Sequence, residues 1–275
     1  MHHRHRRGAQ LLALVVAIAL GALLWRSIPH GRTQGESASP PPAPAEPGRP
    51  LELHHAKCFR AAVSPERTQV EITQPWRDAA DGFRYTLLPR ESAGAPKGDS
   101  LTIRTPVRRV VAMSTSYLPS LEMLGALDRL VGVSRAEEVS SPEVRRRIEQ
   151  GTVKAVGDVH SFSPEAILAL SPDVVFTLGI GPQDLDAYRP LRQAGVPVVV
   201  VAEYVEPTPL GRAEWIKFFG LFLGESDSAE KVYRGIEERY RRLAAKAAST
   251  AERPTVLVGN RSEEHTSELQ SHSDL

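Results

Sequence analysis

The stretch from Ser163 to Glu203, SPEAILALSPDVVFTLGIGPQDLDAYRPLRQAGVPVVVVAE, decides the fold class. Ser163-Pro164 opens a segment in which Ile167, Leu168 and Leu170 recur at helical spacing, so SPEAILAL reads as a helix. DVVFTLG (173–179) is a short apolar strand, DAYRPLRQAG (186–195) is a helix closed by glycine, and VPVVVVAE (196–203) is a strand apolar on both faces. A strand with no polar face belongs inside a sheet covered by helices on both sides.

Upstream the same rhythm continues. RRVVAM (108–113) and LVGVS (130–134) read as strands, and SYLPSLEMLGAL (116–127) is a helix closed near Gly125. SPEVRRRIEQG (141–151) is a helix with Ser-Pro at its start and glycine at its end. Strands alternating with helices predict a parallel, doubly wound α/β sheet, and such sheets bind ligands beyond the carboxyl ends of their strands. Downstream, a long helix is expected from about Ser228, with Asp227 as its cap and Glu230 three residues on. Ala229, Val232, Tyr233, Ile236, Tyr240 and Leu243 form its apolar stripe, and Val232, Ile236 and Tyr240 are expected to pack on the lobe.

Before this lobe, residues 51–106 alternate in the manner of strands. Val70 and Ile72, then Phe83, Tyr85 and Leu87, are separated by charged or polar residues, which predicts a small antiparallel β extension. Residues 32–50 are rich in proline, serine and glycine and read as a semi-rigid tether. At the N-terminus, MHHRHRR precedes the uncharged run LLALVVAIALGALLW (11–25), the pattern of an export signal, here expected to be an uncleaved anchor over residues 1–31. His2, His3 and His5 belong to its cationic segment.

Composition removes several classes of function. A formal net charge of +1 and no basic run interleaved with aromatics argue against a nucleic-acid partner. Cys58 is the only cysteine, so one chain holds neither a disulfide nor a cysteine zinc site; it reads as a packed thiol, with lipidation the weighed alternative. G-x-S-x-G, Walker A, G-x-G-x-x-G and H-E-x-x-H are all missing from the sequence, which weakens an enzyme reading, and no cofactor is expected. Residues 261–275, RSEEHTSELQSHSDL, lack either period and look like an in-frame sequencing adaptor, so they are set aside as a non-native tail.

The segments RRVVAMSTSYLPSLEMLGALDRLVGVS, VGDVHSFSPEAILALSPDVVFTLG and LRQAGVPVVVVAE, with the long helix after them, resemble the class III periplasmic substrate-binding proteins of ABC importers. The resemblance implies an α/β ligand lobe over residues 107–227, a bridging helix over 228–249, and a second lobe of which residues 250–260 are the truncated start. It implies an extracytoplasmic protein, anchored by its N-terminal segment, that carries a metal chelate such as a ferric siderophore or a cobalamin to a membrane permease. An acidic residue in this family's P-E-x-I-L-x-L-x-P-D segment docks onto the permease, and here that residue is Glu165. The other reading of Glu165 is a first-turn carboxylate that serves the helix end.

Four strand ends then frame the ligand site: STSY (114–117), DVHS (158–161), LGIG (178–181) and AEY (202–204). The candidate ligand residues are Thr115, Ser116, Tyr117, His160, Ser161, Gly179 and Tyr204, the tyrosines because their rings give contact area with a hydrogen-bonding tip. No resident metal is expected, though His160 could act as a ligand to the cargo's metal. A membrane-anchored sensor and a chelatase-like enzyme are the competing functions.

Overall fold

Alternation of apolar and polar residues places Val70, Ile72, Tyr85, Leu87 and Ile103 inside and their neighbours outside. The structure, a computed structural model, describes residues 48–92, 101–158, 161–179, 181, 185–251 and 255. These all fall within one unit, Pro47–Leu275. The expected anchor and the tail lie outside the described residues, as does most of the tether and of the second-lobe start.

Five strands form the N-terminal sheet: β1 (Arg49–Pro50), β2 (Phe59–Val63), β3 (Thr68–Ile72), β4 (Phe83–Pro89) and β5 (Thr102–Thr105), in that order. The first three pairings are antiparallel, as the alternation suggests. The last departs from expectation: β5 lies parallel to β4, with Thr86 opposite Thr102. A hairpin reverses direction in a few residues, whereas residues 90–101 supply roughly the dozen that a parallel return needs.

The second sheet contains β6 (Val110–Ala112), β7 (Leu130–Val133), β8 (Lys154–Ala155), β11 (Val174–Thr177) and β12 (Val198–Val200). Between β8 and β11 a small hairpin pairs β9 (Gly157–Asp158) with β10 (Ser161–Phe162). The large sheet runs β12-β11-β6-β7-β8 with every neighbouring pair parallel. The chain therefore starts at the centre, moves outward through β7 to β8, and returns to the other side for β11 and β12. Its direction of travel reverses between β6 and β11, the place where connections leave on opposite sides and open a crevice.

Seven α-helices are described: α1 (Leu118–Met123), α2 (Pro142–Glu149), α3 (Pro164–Ala169), α4 (Arg189–Gln193), α5 (Pro209–Glu214), α6 (Ile216–Leu223) and α7 (Ser226–Ala248). Two apolar layers flank the sheet. One joins Val111, Val175 and Val198 to Ile167 of α3 and Leu191 of α4. The other joins Val110, Ala112, Phe176 and Val199 to α6 and continues into the N-terminal sheet through Phe59, Tyr85 and Ile103. Helix α6 is buried on every side, and apart from Lys217 it carries no polar side chain. Phe218, Phe219 and Phe222 meet Phe176 edge-on at 6.2, 5.3 and 5.3 Å.

The N-terminal sheet covers what would otherwise be an open sheet edge. The outward N–H of Val200 in β12 donates to the Tyr85 hydroxyl of β4 at 3.0 Å, so an edge group is satisfied by a side chain. A second attachment is electrostatic. Glu214 accepts the main-chain N–H groups of His54, His55 and Ala56 at 2.7–3.1 Å, and Glu206 accepts those of Lys57 and Cys58 at 2.8–3.0 Å. Both carboxylates are fully buried. Lys217 Nζ adds 3.0 Å to Glu214 and 2.9 Å to Glu230, and Trp215 Nε1 donates to Glu206 at 3.0 Å. Buried charges persist only when paired and hydrogen-bonded in this way.

Cys58 ends this segment with its thiol 3% exposed. Burial, then the Glu206 carboxylate, push its pKa up to about 12, so it is a protonated packed thiol.

The long helix differs from expectation at both ends. It begins at Ser226, after Gly224 (φ 71°) terminates α6 in the left-handed conformation, so Asp227 sits in the first turn and is not the cap. Ala229 and Tyr233 are its buried residues and Val232 packs on the core, but Tyr240 is 43% exposed and Leu243 59%. The stripe is real at helical spacing, yet α7 packs mainly on α5 and α6, and it outruns them. Tyr240 therefore does not pack on the lobe.

A crevice at the strand ends

The carboxyl ends of β6, β11 and β12 enclose a cavity of about 400 Å³ lined by Ser114, Ser116, Leu178, Glu203, Tyr204 and Arg212. Each wall has a local cause. After β6, Ser114 caps a 3-10 turn (Thr115–Tyr117) by accepting the Ser116 N–H at 3.2 Å, and this turns the Ser116 hydroxyl outward. After β12 a second 3-10 turn, Glu203–Val205, presents Glu203 and Tyr204. The two turns meet: Ser116 Oγ lies 2.8 Å from Ser114 Oγ and donates to Glu203 Oε1 at 2.8 Å. The Tyr204 hydroxyl donates to the Gly179 carbonyl at 2.6 Å, tying β12's turn to the end of β11. Arg212, exposed on α5, donates from Nε to the Glu206 carbonyl at 3.0 Å and stands at the rim.

Glu203 is the unusual group. Burial raises its pKa above the ordinary 4.5, against the opposing pull of the Ser116 hydroxyl, two main-chain N–H groups and Arg212. Its Oε2 is buried and has no hydrogen-bond partner among the described residues. A carboxyl group with one oxygen held and the other unsatisfied, beside hydroxyl and guanidinium donors, suits an organic ligand that brings polar oxygens of its own.

Ionising a group whose folded pKa lies above its unfolded value costs stability as pH rises from about 4.5 through the folded value. Glu203→Gln, which cannot ionise, should therefore melt higher relative to wild type at pH 8 than at pH 4. Thermal unfolding followed at several pH values measures this, and a melting difference constant from pH 4 to 8 would contradict it.

Ser116 and Tyr204 line the cavity, and Gly179 lies beside it as the acceptor for Tyr204. Thr115 is half-buried in the same turn. Tyr117 turns inward: it is 1% exposed, packs on Phe219 at 5.7 Å between ring centres, and is absent from the lining. Ser161 is exposed in the β9–β10 hairpin opposite Asp158, also outside the lining. His160 falls outside the described residues. Ser114, Leu178 and Glu203 belong to the strand-end segments expected to frame the site but are not among the ligand residues chosen from them, and Arg212 lies outside those segments. Ser114 and Glu203 could have been found as polar residues directly after apolar strands; nothing in the sequence around Arg212 connects α5 to the crevice.

The sequence pattern that defines the periplasmic binding proteins matches residues 110–270, more than half of the chain. The chain belongs to the periplasmic binding protein family. The family consists of binding proteins and not of enzymes. An uncharacterized lipoprotein of Methanocaldococcus jannaschii is 27% identical over 184 residues, which are 64% of this chain and 46% of that protein. Among solved structures, a periplasmic heme binding protein from Pseudomonas aeruginosa is 27% identical, covering 53% of this chain and 50% of that one with a TM-score of 0.41. An iron uptake ABC transporter substrate-binding protein from Streptococcus pneumoniae is 20% identical, covering 54% and 50%, with a TM-score of 0.43. This periplasmic binding protein thus spans about half the length of the relatives it matches.

In it, Glu165 occupies the first turn of α3, exposed. The Ser163 hydroxyl caps the helix by accepting the Ala166 N–H at 3.1 Å and donates to Glu165 Oε2 at 2.9 Å. The carboxylate's own main-chain N–H, then Ser163, hold its pKa below the ordinary value. Glu165 therefore serves the helix end and still faces outward. No helix among the described residues is long and apolar enough to cross a membrane.

Proposed function

We propose that this periplasmic binding protein is the extracytoplasmic binding component of an ABC importer. Its cargo is an organic metal chelate, a ferric siderophore or a cobalamin, which it hands to a membrane permease with Glu165 at the docking face. The observation that supports the cargo most directly is the strand-end cavity, where Ser116, Glu203 and Arg212 offer polar contacts beside the 39%-exposed ring of Tyr204. Donors and acceptors around one aromatic face match the oxygen-rich periphery and organic body of a chelate.

Attachment to the membrane is assigned to residues 11–25. Cys58 is the chain's only cysteine, and its thiol is buried at the end of a segment clamped by two carboxylates, which supports a packed thiol.

Titration calorimetry with a ferric tris-catecholate, a ferric trihydroxamate and cyanocobalamin tests the cargo. Binding is expected for one of these classes, weakened about tenfold by Tyr204→Ala through the loss of aromatic contact area. Absence of binding heat for all three probes, or affinity indifferent to Tyr204, would remove the chelate reading.

A further inference from the structure

Trp76 sits in the loop between β3 and β4, half-buried, and the site described above makes no use of it. Its surroundings explain a glycine. Gly179 is not in the left-handed region, so no turn demands glycine there. Close approach does. A Cβ at position 179 would lie 3.2 Å from Cε3 and 3.4 Å from Cζ3 of Trp76, and 3.9 Å from Cδ2 of Leu185. The six-membered ring of the indole thus lies against bare main chain at the carboxyl end of β11. The same residue's carbonyl receives the Tyr204 hydroxyl at 2.6 Å, so one glycine connects the indole to the cavity wall.

The indole is also held from behind. Trp76 meets Phe83 at 6.0 Å, Phe83 stacks on Tyr85 at 6.5 Å, and Tyr85 takes the edge N–H of Val200. This aromatic ladder climbs from the edge of β12 toward the strand ends, and side-chain exposure increases along it from the buried Tyr85 to the half-buried Phe83 and Trp76. At the base of the loop, a Cβ on Gly82 would lie 2.2 Å from the Ile72 carbonyl, so the chain passes too closely for any side chain. A ring that only braced the loop would gain most from complete burial. One fixed in place and left half-open provides contact area whose ordering cost is already met.

We propose that Trp76, which stands against Gly179 just outside the cavity lining, is a ligand-contacting residue, and that through it the N-terminal sheet extends the crevice and favours ligands carrying a flat conjugated ring. This rests on the reading of the strand-end crevice as the ligand site. The ring could belong to a catecholate or to a tetrapyrrole, which share the face an indole stacks on.

The test is nuclear magnetic resonance on the full chain with four diamagnetic probes: gallium(III) tris-catecholate, zinc protoporphyrin, cyanocobalamin and a gallium(III) trihydroxamate, the last without rings. A ring-bearing probe should give intermolecular contacts from its ring protons to the Trp76 indole as well as to Tyr204. Trp76→Leu should weaken that probe about tenfold. Gly179→Ala, which displaces the indole without altering the core of the N-terminal sheet, should weaken it in the same direction. Contacts to Tyr204 with none to Trp76 overturn this inference and leave the crevice reading standing. A trihydroxamate that binds as tightly as the best ring-bearing probe overturns the ring preference, and contacts to neither residue from any probe overturn both readings.

Discussion

Glu214→Ala should destabilise the protein by about 3–5 kcal/mol, the range for removing one member of a buried, hydrogen-bonded charge pair. The substitution removes one of two carboxylates from Lys217, 3% exposed on its side chain and still held by Glu230 and the Glu52 carbonyl, and leaves the N–H groups of His54, His55 and Ala56 without their acceptor. Each of those donors then bears part of its own desolvation cost, because the segment is partly buried where it meets Glu214 of α5. Urea unfolding monitored through Trp215 measures the loss. A change below about 1 kcal/mol, the level of an exposed ion pair, would show that the clamp contributes little.

The same site predicts a response to acid. Burial pushes the Glu214 pKa up, but the N–H groups of Ala56, His54 and His55 together with Lys217 outweigh it, so the net value lies below the ordinary 4.5. A depressed folded pKa contributes stability that is present above about 4.5 and lost as pH falls through the folded value. Wild type should therefore lose stability below that pH more steeply than Glu214→Gln.

Glu165→Arg should weaken docking to the permease at least tenfold and leave chelate affinity within about twofold, given what like-charge juxtaposition costs at an interface. The carboxylate is exposed, and its ties are to Ser163 and its own main chain, with none to the cavity lining. Reversing its sign removes a favourable charge from the start of α3 and leaves the crevice unaltered. Ser163→Ala is the control: it removes the cap and keeps the charge. Uptake by cells carrying each variant, set beside chelate binding by the purified proteins, separates the possibilities. Normal uptake with Glu165→Arg, or chelate affinity that falls along with uptake, would leave Glu165 as a helix-end residue only.

The parallel lobe was legible because its signals are local. Val174, Val175 and Phe176 are apolar without a break, and such a run needs cover on both faces wherever it sits. Gly195 and Gly224 follow helices and take positive φ, as a stop signal should. What the sequence concealed depends on partners far along the chain. Glu206 and Glu214 look like surface residues until segment 54–58, some 150 positions earlier, is laid over them. Tyr117 and Tyr204 are the same residue type at neighbouring strand ends, yet one faces Phe219 and the other the cavity, a choice made by the turn each occupies. Tyr240 continues a faultless apolar stripe past the point where the lobe has any surface left to receive it.

The clamp on residues 54–58 reads amide hydrogens and ignores side chains. Five consecutive positions are gripped by two carboxylates through the main chain alone, a hold that only proline, with no hydrogen to offer, would escape. The lock is therefore indifferent to the spelling of the strap it holds. The exposed His54 and Lys57 are free to drift, and a foreign strap of the same length, provided it avoided proline and kept small packed residues at 56 and 58, could be spliced in front of β2 and still be seized in register.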